Sequence, residues 1–512
     1  MNNLNFLVDV LKESPVFKTL EKNVKPGRTV CASGLSTINK SNIIYALCRL
    51  KGVTAFCLAS DEKEAQTLCN DLSCMGLRAY VYPVRDFNFL DFQSRSHEYE
   101  HARLKVLLKL LNHECDVAIA CVDAAAQLTV PKNVLEQSVI EFEEGRELSL
   151  EKATKALTLL GYERFDAVEG SGQFSLRGGI LDFFMPDSDY PVRCEFWGDE
   201  ITDLSYFDIE TQRRFKKADK IMLSPSTEIV IEDRAALADK IEHKAKLLRS
   251  KNSAKAKEKL FSEAELIRSG AMIANADKFI NQIYDKPESL FDYLDRNTLV
   301  FASEFTAIQE RGKSMDFISN ETLMQGFEDG TLCRGFDRFA LTFNECTEFL
   351  QSHGTIVLEN FVHGSMPIKL SEIISFSTKQ LSAWGGSYKQ LKEDVDGLFT
   401  PESKGVIFAG TERAAKNLCD TFNADGINAV YSEGADKISK GELLVMQGAL
   451  SAGFEYPSQK FFAITYSQVC NRPEKSKKER KKTGQEILQP FRALPPVIML
   501  YTMFTVSVCS AV

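Results

Sequence analysis

The chain has 512 residues, of which 44% are hydrophobic and 26% are charged, and its formal net charge is −9. This length is too great for one hydrophobic core and predicts several domains. No apolar run reaches the roughly 20 residues needed to span a bilayer, so we expect a cytoplasmic protein that makes no membrane contact. The negative charge argues against a surface that binds nucleic acid over its whole extent.

The thirteen cysteines form no C-x-x-C pair. Zinc ribbons and dithiol redox centres depend on such pairs, so the spacing indicates neither. We therefore expect reduced thiols and no cofactor.

The order of apolar and polar residues predicts α/β units separated by a smaller sheet. Residues 28–130 alternate short apolar runs with amphipathic stretches, as in a parallel sheet covered by helices. From 139 to about 210 short alternating segments lie between glycines and prolines, which predicts a small antiparallel sheet with one helix. Residues 233–270 have helical spacing and a solvated basic face. Strand and helix alternation returns at about 346–465.

The segment from Gly34 to Ser41 follows an apolar strand and opens a helix, as a phosphate-binding loop does. In G-x-x-x-x-G-K-[ST] the glycines let backbone N–H groups surround phosphates while the lysine and hydroxyl reach the terminal phosphate and magnesium. Here Lys40 and Ser41 remain, but Asn39 replaces the second glycine. A side chain on that backbone should narrow the phosphate site.

The acidic partner of such a loop should follow a later apolar strand as Asp-Glu. The best match is Leu299–Glu304, in which Ser303 replaces the aspartate that would help to hold magnesium. Two defects in one constellation predict a nucleotide-binding fold with a degenerate site, and residual ATP binding is the alternative.

Residues His97 to His101 read H-E-x-x-H, the zinc-binding pattern of metallopeptidases. On a helix both histidines would lie on one face, with Glu98 as general base. The polar flanks and the absence of a marked third ligand favour an exposed first turn of a helix instead. A zinc metallopeptidase is therefore the alternative to the interpretation below.

Residues 174–212 contain F-S-x-R-G-G-I-L-D-x-F, P-V-R-x-E-F-x-G-D-E-I and F-D-x-E-T-Q in this order. They resemble the signature that transcription-repair coupling factors (Mfd) share with the excision-repair protein UvrB in the domain that docks UvrA. Residues 447–455 resemble the E-G-A-L-S-A-G-F-E stretch of a later domain of the coupling factors. The resemblance covers about 485 residues and favours the coupling-factor family over UvrB.

The resemblance implies an α/β multidomain fold: a degenerate P-loop NTPase-like, UvrB-like body with an inserted small α+β UvrA-docking domain, followed by a further α/β domain. The implied segments are the first part of the body at 1–130, the UvrA-interaction domain at 131–222, the second part of the body with a helical segment at 223–345, the α/β domain at 346–465, a basic linker at 466–485 and an out-of-frame tail at 486–512.

The family's UvrA-docking face uses arginines and an acid. The matching positions here are Arg164, Arg177, Arg193 and Glu195. Arginine pairs with carboxylates through two parallel hydrogen bonds, which suits a specific protein interface. The alternative is that Arg177 and Arg193 pair within the sheet, with Asp182, Asp199 or Glu200.

The family's polymerase-interacting domain opens with G-D-Y-V-V-H-x-x-H-G-I-G, which residues 496–508 lack. Permitted codons for these residues encode G-D-Y-V-V-H-Y-V-H-G-I-G in another reading frame. We therefore expect a frameshift at about 485–495, with loss of the polymerase-interacting and translocase domains. The preceding basic run at 475–482 is expected to be a linker, with weak contact to DNA or polymerase as the alternative.

The resemblance implies a binding module. The family couples stalled RNA polymerase to nucleotide excision repair by ATP-driven translocation, so polymerase and DNA are partners of its full-length members. For this chain we expect recruitment of UvrA, no catalysis, no metal and loss of polymerase contact.

Overall fold

The computed structural model describes residues 4–85, 97–138, 140–249, 253–270, 276–362 and 366–466. Within them are fifteen α-helices, three 3-10 helices and twenty-one strands. The α-helices are α1 (Asn5–Lys12), α2 (Pro15–Asn23), α3 (Thr37–Lys51), α4 (Glu62–Cys74), α5 (Glu98–Leu111), α6 (Val122–Ala126), α7 (Lys132–Gln137), α8 (Leu150–Leu159), α9 (Arg234–Leu247), α10 (Ser253–Ser269), α11 (Ile280–Ile283), α12 (Phe305–Asp329), α13 (Phe343–His353), α14 (Tyr388–Leu398) and α15 (Glu412–Ala424). The 3-10 helices are Ala276–Phe279, Leu290–Tyr293 and Pro457–Gln459.

The strands follow the same chain order and form three larger sheets and one two-stranded sheet. They are β1 (Val30–Ser33), β2 (Ala55–Ala59), β3 (Ala79–Tyr82), β4 (Val117–Cys121), β5 (Ile140–Glu143), β6 (Glu163–Arg164), β7 (Gln173–Arg177), β8 (Ile180–Phe183), β9 (Val192–Trp197), β10 (Glu200–Phe207), β11 (Arg214–Lys217), β12 (Lys220–Leu223), β13 (Leu299–Ser303), β14 (Thr355–Leu358), β15 (Glu372–Ser375), β16 (Lys379–Leu381), β17 (Lys404–Phe408), β18 (Ala429–Ser432), β19 (Glu442–Met446), β20 (Gly453–Tyr456) and β21 (Phe461–Thr465). The prediction of a mixed α/β protein with a parallel sheet is confirmed.

Side-chain caps set several of the helix boundaries. The Asp61 carboxylate accepts the Glu64 N–H at 2.8 Å and starts α4, and Thr342 and Glu345 form a reciprocal capping box at the start of α13. Such caps contribute about 1 kcal/mol each. Helix α3 ends at Gly52, whose φ of +62° lies in the left-handed region that glycine adopts without strain.

The first sheet has seven parallel strands in the order β15-β1-β14-β13-β2-β4-β3. Along β2, Ala55 and Cys57 belong to one hydrophobic cluster and Phe56 and Leu58 to another. Both faces of the sheet are therefore buried, which explains why its strands are short, continuous apolar runs.

Strands β14 and β15 lie in the segment at 346–465, for which the sequence predicts a separate α/β unit. They pair instead with β1 and β13, in the middle and at one edge of the first sheet. Strand and helix alternation predicts that a strand exists, but parallel pairing joins strands distant in the chain, so the pattern does not specify the sheet to which each strand belongs.

The second large sheet has the order β11-β10-β9-β8-β7-β6 and is antiparallel apart from the β6–β7 pair. Helix α8 packs against one face of this sheet, where Ala153 and Leu157 share a core with Leu181, Phe183 and Cys194. The opposite face carries alternate polar residues of the central strands and is called the outer face below. A half-covered antiparallel sheet explains the alternating pattern of this part of the sequence.

The third large sheet, in the order β16-β20-β21-β17-β19-β18, is anchored to the first through residues of the 447–455 motif. The Asp71 carboxylate of α4 accepts the backbone N–H and the hydroxyl of Ser451, both at 2.7 Å. The Asn42 amide of α3 donates to the Tyr456 hydroxyl at 3.2 Å. These buried polar contacts hold the third sheet against α3 and α4.

A buried ion pair holds helix α5 against the chain that follows β12 of the two-stranded sheet. Arg103 is fully buried and donates from Nε to Glu228 Oε1 at 2.6 Å and from Nη1 to Gln127 Oε1 at 2.8 Å, while its guanidinium lies 4.1 Å from the Tyr82 ring centroid. Removing one partner of such a pair costs about 3–5 kcal/mol. The contact therefore fixes the segment that follows β12 on helix α5.

Two predicted segments, the tail at 486–512 and the linker at 466–485 beyond Tyr466, lie outside the described residues. No helix in the described ranges has the length and apolar character needed to cross a membrane.

Candidate functional site

The outer face of the second sheet is organised around the buried carboxylate of Asp182. Arg193 lies opposite Asp182 in register and donates to both of its oxygens, at 2.8 and 2.9 Å. Arg177 reaches the same carboxylate with Nη2 at 2.8 Å. The side chain of Arg177 is 51% exposed, whereas that of Arg193 is 13% exposed. The pairing within the sheet that the sequence left as an alternative is therefore present, and Arg177 remains accessible beside it.

A further contact fixes Arg193. Its guanidinium lies 4.4 Å from the ring centroid of Phe207 and donates to the Gln212 carbonyl and side-chain oxygens, each at 3.1 Å. The Asp182 hydrogen bonds raise the pKa of Arg193 further, although burial opposes this. Arg193 thus has the environment of a structural residue.

Glu195 and Asp203 lie directly opposite each other on β9 and β10. Two carboxylates in this arrangement repel each other. Arg214 of β11 forms ion pairs with both and so neutralises the repulsion. Glu195 keeps 37% of its side chain exposed.

Arg164 is separated from the other three predicted residues by its register. It lies exposed on the edge strand β6, opposite Phe174, whose side chain is in the domain core. Because facing residues of paired strands point to the same side, Arg164 is not on the outer face with Arg177.

The outer face also carries Trp197, which the sequence analysis did not single out. It follows Arg193 and Glu195 at the strand period of two and is 82% exposed. The chain has only two tryptophans. An exposed tryptophan next to charged residues is characteristic of interface centres. In P-V-R-C-E-F-W every second residue points to the same face of the strand, so the sequence already indicates that Trp197 shares a face with Arg193 and Glu195.

The H-E-x-x-H segment lies in a cleft between α5 and the second sheet. His97 Nδ1 is 2.9 Å from Glu100 Oε2, and His101 Nε2 is 3.1 Å from the Ser226 hydroxyl. Burial lowers the pKa of His101. The described residues contain no group of three or more His, Cys, Asp or Glu that could hold a metal ion. The metallopeptidase alternative is therefore unsupported.

The loop after β1 is closed by backbone atoms of its neighbours. The N–H groups of Gly34 and Leu35 donate to the carbonyls of Asn360 and Glu359 at 3.2 and 3.1 Å. Gly34 has a φ of +78°, and a Cβ there would lie 2.2 Å from the Phe376 carbonyl oxygen. Two of the donors that a phosphate-binding loop would direct at its ligand, the N–H groups of Gly34 and Leu35, are thus bonded to protein carbonyls.

The Lys40 ammonium is held by the protein's own carboxylates. Lys40 is 2% exposed, and Nζ donates to Glu304 Oε1 at 2.6 Å, to the Ser303 hydroxyl at 2.9 Å and to Glu64 Oε1 at 3.2 Å. Burial by itself raises the pKa of Glu64, but Lys40 and the hydroxyls of Ser303 and Ser60 outweigh it and lower the pKa. We call Lys40, Glu64, Ser303 and Glu304 the Lys40 cluster.

The other two loop residues are also engaged within the protein. Asn39 is fully buried and accepts the Ser36 hydroxyl at 2.6 Å. The Ser41 hydroxyl donates to Asp71 at 3.2 Å. Of the predicted residues, the structure thus brings Lys40, Ser303 and Glu304 together around one ammonium group, whereas Asn39 and Ser41 have other partners.

Comparison with known proteins assigns the second sheet to a family. The model of the UvrB interaction domain matches residues 140–229. The transcription-repair-coupling factor of Bacillus subtilis is 26% identical over 499 residues, 94% of this chain and 42% of the relative. That of Staphylococcus epidermidis RP62A is 25% identical over 79% of this chain and 35% of the relative. That of Staphylococcus aureus MRSA252 is 22% identical over 94% and 41%.

This chain is similar to the N-terminal part of transcription-repair-coupling factors. The resemblance in the sequence is confirmed, and the chain spans less than half the length of these relatives. The UvrB interaction domain includes three of the four predicted docking residues on its outer face and Arg164 at its edge.

Sequence reasoning missed Glu64, one of the two acids that hold the Lys40 ammonium. Glu64 lies 24 residues from Lys40, and Glu304 lies 264 residues away. Glu304 was identified through its strand, but Glu64 belongs to an ordinary polar helix start and carries no signal of its own.

Lys40→Met should lower the free energy of unfolding by about 3–5 kcal/mol, because it leaves the carboxylates of Glu64 and Glu304 without their counter-charge. Chemical denaturation followed by circular dichroism measures this loss. Lys63→Met, at an exposed position on α4, should cost less than about 1 kcal/mol. Adding Glu64→Gln and Glu304→Gln to Lys40→Met should recover part of the loss, and equal effects of Lys40→Met and Lys63→Met would contradict the structural role.

Glu359→Gln should change how stability depends on pH. Burial, together with the adjacent Glu304, raises the pKa of Glu359 to about 7. Because this folded value lies above the unfolded value of about 4.3, the stabilisation is complete at acid pH and is lost as pH rises towards 7. Between pH 5 and pH 8, the free energy of unfolding of the variant should rise by on the order of 2 kcal/mol relative to that of the wild type.

Denaturation midpoints at a series of pH values measure this gain, with Glu393→Gln at an exposed position of α14 as the matched control. A constant difference between Glu359→Gln and wild type at all pH values would mean that Glu359 does not hold a proton at neutral pH.

Proposed function

We propose that this chain recruits UvrA through the outer face of its UvrB interaction domain and acts as the UvrA-binding part of a transcription-repair coupling system. The observation that carries the proposal is the match of residues 140–229 to the UvrB interaction domain. Similarity to coupling factors over 94% of the chain supports the same context.

The chemistry of the outer face supports docking to a partner with exposed carboxylates. One nitrogen of Arg177 donates a hydrogen bond to Asp182, and about half of the side chain remains accessible. Its planar guanidinium can form further bidentate hydrogen bonds to an acidic group. Arg193 is nearly buried and holds Asp182 in place. We therefore propose that Arg193, through Asp182, positions Arg177. Arg164 is exposed on the edge strand β6 and points to the other side of the sheet, so it adds positive charge at the edge and not on the outer face.

Trp197 supplies apolar contact area on the same face. With 82% of its surface exposed, it can insert into an apolar recess of the partner, and Glu195 can pair with a basic group beside it. We therefore propose that the UvrA surface presents an apolar recess flanked by charges of both signs.

We further propose that this part of the protein binds without hydrolysing ATP. The Lys40 ammonium is already held by Glu64 and Glu304, and the N–H groups of Gly34 and Leu35 are bonded to carbonyls. A nucleotide would have to displace these contacts and then meet two carboxylates with its own negative charge. RNA polymerase and DNA are partners that transcription-repair coupling implies for the longer relatives, and we propose no contact with them through the loop at Gly34.

Arg177→Glu and Trp197→Ala should each weaken UvrA binding at least about tenfold, because one reverses the charge offered to the partner and the other removes its apolar anchor. Surface-immobilised UvrA titrated with the full chain measures the affinity. Lys155→Glu serves as the control, because it makes the same reversal of charge on α8, which covers the opposite face of the sheet.

Thermal denaturation of the same variants distinguishes contact from folding. Trp197→Ala should leave the midpoint of the wild type unchanged, whereas Arg193→Ala and Arg177→Glu should lower it, because each leaves Asp182 buried with one partner fewer. Full affinity in the double variant Arg177→Glu/Trp197→Ala would refute the outer face as the docking site. Failure of the wild type to bind UvrA would refute the proposed function.

Isothermal titration with Mg·ATP should give the same heat for the full chain and for Lys40→Met, because the groups of the loop at Gly34 that would bind phosphates are occupied. A dissociation constant weaker than about 1 mM at this loop corresponds to less than about 4 kcal/mol of binding free energy. Saturation in the low micromolar range that Lys40→Met abolishes would show that the loop opens for nucleotide.

A further inference from the structure

A small cleft of about 250 Å³ lies at the edge of the first sheet opposite the Lys40 cluster. It is bordered by the first residues of β13 and β14, whereas the loop at Gly34 follows the end of β1. Its basic lining residues are Lys25, Arg28, Lys51, Arg296 and His353, and none of the described lining residues is a carboxylate. We call it the amino-edge cleft. Four permanent positive charges around one small cleft stand out in a chain whose net charge is −9.

Tight turns hold the basic residues in place. The N–H of Arg28 donates to the Lys25 carbonyl at 3.1 Å across a Pro26-Gly27 pair, and Gly27 has a φ of +71°, as in a type II turn. The N–H of Gly27 donates to the His353 carbonyl at 2.8 Å, which fixes this turn on the end of α13.

The opposite wall of the cleft is also a turn. The N–H of Thr298 donates to the Asp295 carbonyl at 3.0 Å, and the His353 ring nitrogen Nε2 donates to the Thr298 carbonyl at 2.9 Å. Arg296 lies within this turn. The backbone of both walls is therefore fixed before any ligand arrives, which lowers the entropic cost of binding.

The positive charge of the cleft is only partly neutralised. Arg28 pairs with Glu372 at 3.2 Å, and Lys51 pairs with Glu21 at 3.7 Å. Among the described residues neither Lys25 nor Arg296 has an ion-pair partner, and both are exposed. Arg28 Nε is buried and finds no acceptor within the same residues. Two cations and one guanidinium N–H are thus left unmatched.

We propose that the amino-edge cleft binds phosphate groups. Its volume suits one or two phosphates, its donors are arginine and lysine, and like-charge repulsion among the four cations falls when an anion enters. The cleft adjoins a second one of about 580 Å³ through Val53, Asn297 and Thr298, where Arg49 adds a positive charge but Arg78 is paired with Asp116 at 2.7 Å and Asp295 is a further carboxylate. The phosphates can belong to a free polyphosphate or to the backbone of a nucleic acid.

The test uses the full chain with inorganic pyrophosphate in isothermal titration and with a labelled oligothymidylate in fluorescence anisotropy. Lys25→Glu/Arg296→Glu should weaken binding at least about tenfold, because it removes the two unpaired cations and reverses their charge. Lys389→Glu/Arg413→Glu changes the charge equally at exposed positions of the third sheet's helices and should bind as the wild type does. Binding should weaken as salt is added.

Pyrophosphate binding that the first double variant loses would support the proposal with a small phosphorylated ligand. Binding of the oligonucleotide alone, lost in the same variant, would support it with a nucleic-acid backbone. Lack of binding to both probes, or equal binding by the two double variants, would overturn it. Equal thermal midpoints of all three proteins exclude misfolding as the cause of a loss.

Discussion

The ammonium group of Lys40 links three elements, α3, α4 and the end of β13, at one edge of the first sheet. It contacts Glu64 at the start of α4 and the Ser303-Glu304 pair at the end of β13, and so connects segments more than 260 residues apart in sequence. A buried cation without partners would be very costly, so the two acids must be present wherever the lysine is retained. Glu304 has a φ of +55°, which is unusual for a residue with a side chain. In this conformation its carboxylate accepts hydrogen bonds from Lys40 and from the Asn360 N–H.

The loop after β1 illustrates which part of this arrangement the sequence predicts. Its glycine, lysine and serine are close together in sequence, so the turn from strand to helix is recognisable, and Asn39 is visible at the position where the motif has its second glycine. The acid Glu64, which pairs with Lys40, is not local to this loop. Glu64 is recognisable only as a first-turn acid of α4, because its contact with Lys40 depends on how β2 pairs with β13. Sequence patterns specify strands and helices, while the pairing of parallel strands decides which side chains meet.

The same limit explains the segment at 346–465. Its alternation predicts strands correctly, yet β14 and β15 join the first sheet, and the third sheet uses only the later strands. In the UvrB interaction domain the pattern is more informative, because antiparallel neighbours are consecutive in the chain and the period of two fixes the sides. Arg177, Arg193 and Glu195 were placed together from a motif, and the pairing of β7, β8 and β9 puts them on one face. Their different exposure follows from Asp182, which lies opposite Arg193 and only diagonally from Arg177.

The two edges of the first sheet differ in how far carboxylates of the chain neutralise their positive charges. At the carboxyl edge the Lys40 ammonium is saturated within the fold by the carboxylates of Glu64 and Glu304 and by the hydroxyl of Ser303. At the amino-edge cleft there are four permanent cations, and ion pairs with Glu21 and Glu372 match two of them. The other two, Lys25 and Arg296, are exposed to water, and an anion that enters the cleft would reduce the repulsion among the four charges. The edge that would hold phosphate in an intact P-loop protein is therefore closed by the chain itself, and the opposite edge is the one with charge left over.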